Sequence, residues 1–185
     1  MRHYVVCLDL RGRSCLVVGG GRVAREKAQG LLECAAEVTV IAPEIDDEVA
    51  ELPVRRLSRR RFRESDVVGR FLAVAATNDR LVNARVSSAA HERDVPCNVA
   101  DDPELCSFIL PAIVRRDPIT IAVSTGGASP ALAQRLRDDI GDLVGTKHAE
   151  LADRLAELRP WAKREFSTYA ERRDYFQRLV EEALA

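Results

Sequence analysis

No apolar run in the sequence approaches the ~20 residues needed to cross a bilayer. Near the N-terminus Asp9, Arg11 and Arg13 interrupt any apolar stretch early. No signal peptide is therefore expected, and the chain reads as cytosolic. There is no charge excess of either sign: 28 Lys plus Arg against 29 Asp plus Glu leave a formal net charge of -1. That balance lacks the basic excess of a dedicated nucleic-acid binder. The five cysteines (Cys7, Cys15, Cys34, Cys97, Cys106) form no C-x-x-C pair, and His3, His91 and His148 are far apart. Neither set offers a zinc framework, and the thiols read as buried and reduced. Internal repeats and low-complexity linkers are also absent. What remains is a 185-residue chain, 46% hydrophobic and 31% charged. It is long enough for one domain, or for one domain with a smaller appendage, and its composition argues against disorder.

The first half alternates strand and helix patterns. Tyr4–Leu8 reads as a short strand. The apolar run Cys15–Val18 ends at Gly19-Gly20-Gly21, and a helical stretch carrying Val23, Lys27, Gly30 and Leu31 follows. Residues 37–41 are β-branched and read as a second strand, stopped by Pro43. Residues 71–75 form another buried strand, 80–92 a helix, and 97–99 a short strand before Asp101–Asp102. Strands alternating with helices imply parallel pairing through right-handed crossovers.

The pattern changes near Pro111–Pro118. Residues 109–114 and 119–123 are apolar and extended. Ser129-Pro130 then announces a helix, Ser as cap and Pro in the first turn. Leu132, Leu136 and Ile140 line one of its faces. Residues 143–158 continue in helical period, Pro160 interrupts, and a last helix runs over 167–184.

Gly19-Gly20-Gly21-Arg22-Val23-Ala24 matches G-x-G-x-x-A between a strand and a helix, the context that a dinucleotide fingerprint requires. Gly19 permits the tight turn, Gly21 lets a pyrophosphate approach the backbone, and Ala24 allows close helix packing. The fingerprint also expects an acid at the end of the second strand, but here that end reads Ile41-Ala42-Pro43-Glu44. Glu44 either reaches the adenosine ribose from the loop or is a solvated loop acid. No arginine sits at the strand end itself, which favours NAD over NADP. Asp101, just after a strand on the carboxyl side of the sheet, is either a proton acceptor near a bound substrate or the cap of a polar turn. Six arginines (Arg55, Arg56, Arg59, Arg60, Arg61, Arg63) crowd nine positions. They could steer a polyanionic substrate, contact nucleic acid, or blunt an exposed loop or edge strand with charge.

Further segments accompany the glycine turn: Ala75-Ala76-Thr77-Asn78-Asp79, Cys97-Asn98-Val99-Ala100-Asp101, Ser107-Phe108-Ile109-Leu110-Pro111-Ala112, and Ile121-Ala122-Val123-Ser124-Thr125-Gly126-Gly127-Ala128-Ser129-Pro130. In this order they resemble the precorrin-2 dehydrogenase/sirohydrochlorin ferrochelatase family, which includes the N-terminal module of siroheme synthase. The resemblance runs over about residues 8–140. It implies an α/β fold: a Rossmann-like parallel sheet with NAD at residues 1–112, a small α+β dimerisation segment at 113–142, and a C-terminal helical region at 143–185. It also implies a homodimer, a tetrapyrrole site, and NAD-dependent oxidation of precorrin-2 to sirohydrochlorin in the cytoplasm. Many members then insert ferrous iron to give sirohaem, while others are dehydrogenases only. Carried over by position, the resemblance assigns Asp101 as the catalytic aspartate, and as a hard oxygen donor it could also serve as a transient iron ligand. It gives Gly19, Gly21, Arg22, Val23, Pro43, Glu44 and Thr77 to NAD, and Ser124, Thr125, Gly126 and Gly127 to the substrate. Where the family has a second serine, which is phosphorylated in some relatives, this chain has Thr125. Neither nucleic acid nor a membrane is expected as a partner. The competing reading is a non-catalytic NAD-sensing regulatory domain, which would need a well-placed ribose acid and neither of the later motifs.

Overall fold

The computed structural model describes residues 3–185. They divide into two compact units, 3–110 and 111–185.

The first unit is a five-stranded parallel sheet: β1 (Ser14–Val18), β2 (Glu37–Ala42), β3 (Arg56–Arg59), β4 (Leu72–Ala75) and β5 (Cys97–Val99), ordered β3-β2-β1-β4-β5. Because β1 is covered on both faces, its run of apolar residues does not alternate with polar ones. Its odd positions Cys15 and Val17 pack with Ala24 and Ala28 of helix α1 (Arg22–Glu33). Its even positions Leu16 and Val18 pack with Val86, Ala89 and Ala90 of helix α3 (Arg80–His91). Leu16 and Val17 are fully buried, each worth about 1.5–3 kcal/mol relative to exposure. A four-residue helix, α2 (Asp47–Ala50), follows β2 and anchors through Val49. Asp79 caps α3, its carboxylate accepting from the amides of Leu81 and Val82.

The second unit is a hairpin, β6 (Ala112–Arg116) antiparallel to β7 (Ile119–Val123), followed by helices α4 (Pro130–Leu143), α5 (Thr146–Glu165) and α6 (Tyr169–Leu184). Ser129 caps α4 as expected, accepting from Leu132 N–H at 3.2 Å. Gly141 of α4 packs against Val114 of β6. Trp161, Phe166, Tyr175 and Phe176 form an aromatic cluster that joins the end of α5 to α6, with neighbouring ring centroids 5.2–5.8 Å apart.

Four expectations need correction. Residues 4–8 are not a strand: they pair with nothing, and Tyr4 and Val5 are 93% and 76% exposed. A short apolar run alone cannot supply a partner edge. Pro160 does not interrupt a helix, because α5 runs through it. It removes one backbone donor, and the turn beyond is held by the fully buried Ala162 and the aromatic cluster. Residues 143–158 are not one helical run, since α4 ends at Leu143 and Gly145 caps α5. The cysteines form no disulfide, but not all are buried: Cys15 and Cys97 are, Cys34 and Cys106 are half-buried, and Cys7 is exposed. Burial pushes the Cys15 thiol up to about 11 and that of Cys97 up to about 12, so both stay protonated.

Candidate functional site

The glycine turn leaves the carboxyl end of β1. Gly19 adopts φ +135°, and a Cβ there would stand 2.2 Å from the Ala76 carbonyl oxygen. A Cβ on Gly20 would stand 2.0 Å from the Glu44 carbonyl oxygen. Both positions are therefore closed to any side chain by neighbouring backbone. Gly21 differs, because the nearest atom to its Cβ position is Asp46 Oδ2 at 3.8 Å. It is the N-cap of α1, contributes no side-chain cap, and no acid lies in the first helical turn. The first amides of α1 thus face an approach that is free of side chain and of negative charge from the helix itself. This is the cradle a pyrophosphate needs, and the residues fit a bound dinucleotide.

The other predicted cofactor residues border this turn or lie at neighbouring strand ends. Arg22 is exposed and pairs with Glu26 at 3.0 Å. Val23 is half-buried, and Pro43 and Glu44 are exposed just after β2. Thr77 follows β4. Its hydroxyl donates to Asn83 Oδ1 at 2.7 Å and accepts from Asp79 N–H at 3.2 Å. Its carbonyl accepts from Asn83 Nδ2 at 2.9 Å. Thr77 is therefore engaged in shaping the turn into α3. An arginine does stand at the end of β2, brought from the next strand: Arg59 is in register with Ala42 and donates to the Ile45 carbonyl at 2.9 Å. Sequence order concealed that neighbour.

Asp101 follows β5 at the same carboxyl edge of the sheet. Its φ of +60° lies in the left-handed region, which Asp tolerates better than most residues. It is exposed and lines an open cleft of about 550 Å³ with Asn78, Arg80, Asp102 and Glu104. Arg80 Nε holds Asp102 at 3.1 Å, leaving Asp101 as the carboxylate without a partner in that pair. Two of the sequence motifs turn out to be fastened to each other beneath it. Asn98 Nδ2 donates to the Phe108 carbonyl at 3.0 Å, and Ser107 Oγ accepts from Cys97 N–H at 2.7 Å. The Cys106 thiol accepts from Val99 N–H at 3.1 Å and lies 3.2 Å from the Val99 carbonyl. These ties fix the turn that presents Asp101, and Cys106 is a contributor that spacing alone did not single out.

Ser124, Thr125, Gly126 and Gly127 form the turn from β7 into α4 in the second unit. Ser124 Oγ accepts from Gly126 N–H at 3.2 Å. The Thr125 hydroxyl accepts from Ser129 N–H at 3.1 Å and donates to the Ser129 carbonyl at 3.0 Å. Gly126 and Gly127 both take positive φ, at 65° and 87°.

The arginine run supplies β3 and the loop after it. β3 is an edge strand, the place where charge discourages pairing with another chain. Arg60 grips Asp66 with two bonds, of 2.8 and 2.6 Å, and Arg63 N–H adds a third at 2.8 Å. Burial opposes ionisation of Asp66, but these bonds outweigh it and hold its carboxyl below the usual range. Arg55 pairs with Glu37. Among the described residues no three His, Cys, Asp or Glu side chains come together as a metal site, and no helix is long and apolar enough to cross a membrane.

Residues 6–112 match a family described as putative NAD(P)-binding, and residues 116–143 one described as sirohaem biosynthesis protein central. A siroheme synthase from Nitrosomonas europaea is 40% identical over 185 residues, and one from Methylococcus capsulatus 43% over 184 residues. Each match covers 98% of this chain and 39% of the relative. The chain thus spans about two-fifths of the length of these curated relatives. The solved structure of SirC, a precorrin-2 dehydrogenase, matches with a TM-score of 0.83 and 30% identity, covering 99% of this chain and 93% of that one.

Proposed function

We propose, since this chain belongs to the precorrin-2 dehydrogenase family, that it oxidises precorrin-2 to sirohydrochlorin with NAD as acceptor, within sirohaem biosynthesis. The observation that carries this reading is the shared edge: the glycine turn and Asp101 leave the carboxyl ends of β1 and β5, with only β4 between them. Open α/β sheets bind their ligands along that edge. The oxidation removes two electrons and two hydrogens from the macrocycle, one as hydride and one as proton. NAD, when bound, supplies the hydride acceptor. The chain's own residues do the rest. The amides at the start of α1 hold the pyrophosphate against Gly21, and Arg22, Val23, Pro43, Glu44 and Thr77 border it. Asp101, exposed in its cleft, accepts the proton.

We assign Ser124, Thr125, Gly126 and Gly127 to the tetrapyrrole, supported by a turn whose two glycines offer backbone without side chains. Residues 113–142 are the proposed dimerisation segment of a homodimer. Ferrous iron, as a second substrate, would meet Asp101 as a hard oxygen donor. The unbridged cysteines suit a reducing, cytoplasmic setting.

The test is anaerobic incubation with precorrin-2 and NAD, following NADH and the tetrapyrrole spectrum, and then addition of ferrous iron. NADH together with a sirohydrochlorin spectrum is expected. Iron-dependent conversion above the rate without enzyme would add the chelatase. Asp101→Asn should lose about 10²–10⁴-fold in turnover while still binding NAD, and near-normal turnover would remove Asp101 from the mechanism. Folded, NAD-binding protein that yields no NADH would reject the enzyme in favour of a sensor.

A further inference from the structure

The acid that a dinucleotide fingerprint expects at the end of its second strand is missing from the end of β2, but the fold brings one to the glycine turn. After Ala42 the chain doubles back over the turn. The Glu44 carbonyl closes on Gly20, and Asp46 N–H donates to the Gly20 carbonyl at 2.9 Å. Asp46 then becomes the N-cap of α2. An N-cap aspartate ordinarily accepts a hydrogen bond from the helix amides, but the Asp46 side chain makes no such bond. Its carboxylate is exposed and has no hydrogen-bond or ion-pair partner among the described residues. Oδ2 stands 3.8 Å from the Cβ position of Gly21, beside the cradle described above. The neighbouring acid Glu48 differs, because Arg25 holds it.

We infer that Asp46 selects between the two nicotinamide dinucleotides, accepting hydrogen bonds from the adenosine ribose hydroxyls of NAD and repelling the 2′-phosphate of NADP. The inference rests on the dinucleotide reading of the glycine turn and adds to it the residue that sets specificity. Arg59 gives the selection its second half. Its guanidinium already lies at this loop, bonded to the Ile45 carbonyl. With Asp46 in place, the carboxylate offsets that positive charge. Without it, Arg59 favours a phosphate. Loss of Asp46 therefore weakens NAD and strengthens NADP together, whereas loss of a merely structural residue weakens both.

Isothermal titration of the full chain with NAD⁺ and with NADP⁺ tests this directly, in the wild type, Asp46→Asn and Asp46→Ser, with circular dichroism confirming the fold of each variant. The wild type is expected to prefer NAD⁺. Asp46→Asn should lose about tenfold or more in affinity for NAD⁺, the scale of a hydrogen bond to a charged group, and should bind NADP⁺ more tightly than the wild type does. Asp46→Ser should shift the ratio the same way. A ratio unchanged within about twofold in both folded variants, measured against that expected shift, would overturn the inference while leaving the dinucleotide site intact. So would a ratio that moves with Glu44→Gln and not with Asp46→Asn. A wild type that binds neither nucleotide would overturn the dinucleotide reading itself, and this inference with it.

Discussion

The two units solve the problem of burying apolar surface in different ways. In residues 3–110 both faces of a parallel sheet are covered, and Leu16, Val17, Val38, Val40, Val67 and Val86 are all fully buried. In residues 111–185 only Val114, Ala133 and Ala162 are buried. Leu132, Leu136, Leu143 and Tyr169 stay exposed, at 50, 39, 74 and 74%. A two-stranded hairpin with amphipathic helices cannot enclose a core of its own on the scale of a five-stranded sheet. The first unit carries its stability within itself. The second presents apolar surface, which supports the homodimer proposed above.

The contrast can be tested from the strongest substitution to the mildest. Gly20→Ala drives a methyl into the backbone carbonyl of Glu44 and should cost the sheet unit about 3 kcal/mol or more in urea unfolding. Gly21→Ala, one residue on, meets only Asp46 Oδ2 at ordinary van der Waals distance and should change stability by less than about 0.5 kcal/mol. Equal losses would mean that the turn is not closed as described. Asp66→Asn removes the anion that Arg60 and Arg63 share, and should cost about 2 kcal/mol at pH 7. Because the folded carboxyl is held below its unfolded value, that stability is present above the ordinary carboxylate range and fades as pH falls through the lowered folded value. Wild type and variant should therefore converge in acid, and a gap that persists at low pH would point to packing instead. Leu136→Asp, on an exposed helix face, should alter chain stability by no more than about 0.5 kcal/mol while shifting sedimentation from dimer to monomer. An unchanged dimer would clear this face of any role in pairing.

Much of the sheet unit was legible because parallel strands buried on both faces read as uninterrupted apolar runs, and because glycine and proline mark their ends. β3 was legible only as one alternative, a loop or an edge strand blunted by charge, because the charges of Arg56-Leu57-Ser58-Arg59 obscure the strand pattern. Asp101 could be named from its motif, but the reason for the motif could not. Only the structure shows Asn98 and Ser107 fastening two distant segments beneath it. Asp46 was missed because its importance lies in a close approach to Gly21 after the chain has doubled back. The one available signal was a run of acids, Asp46-Asp47-Glu48, opening a helix too short to read. Pro160 misled for the opposite reason: a local rule about helices gave way to tertiary packing around Trp161.

That aromatic cluster has a practical consequence. The chain has a single tryptophan, and it sits in the unit with the smaller core, packed against Phe166 and Tyr175. Its emission spectrum therefore reports the α5–α6 junction and is blind to the sheet. Far-ultraviolet dichroism sees both. A denaturation curve followed by the two signals would show whether the molecule melts as one body or as two, with no label and no mutation.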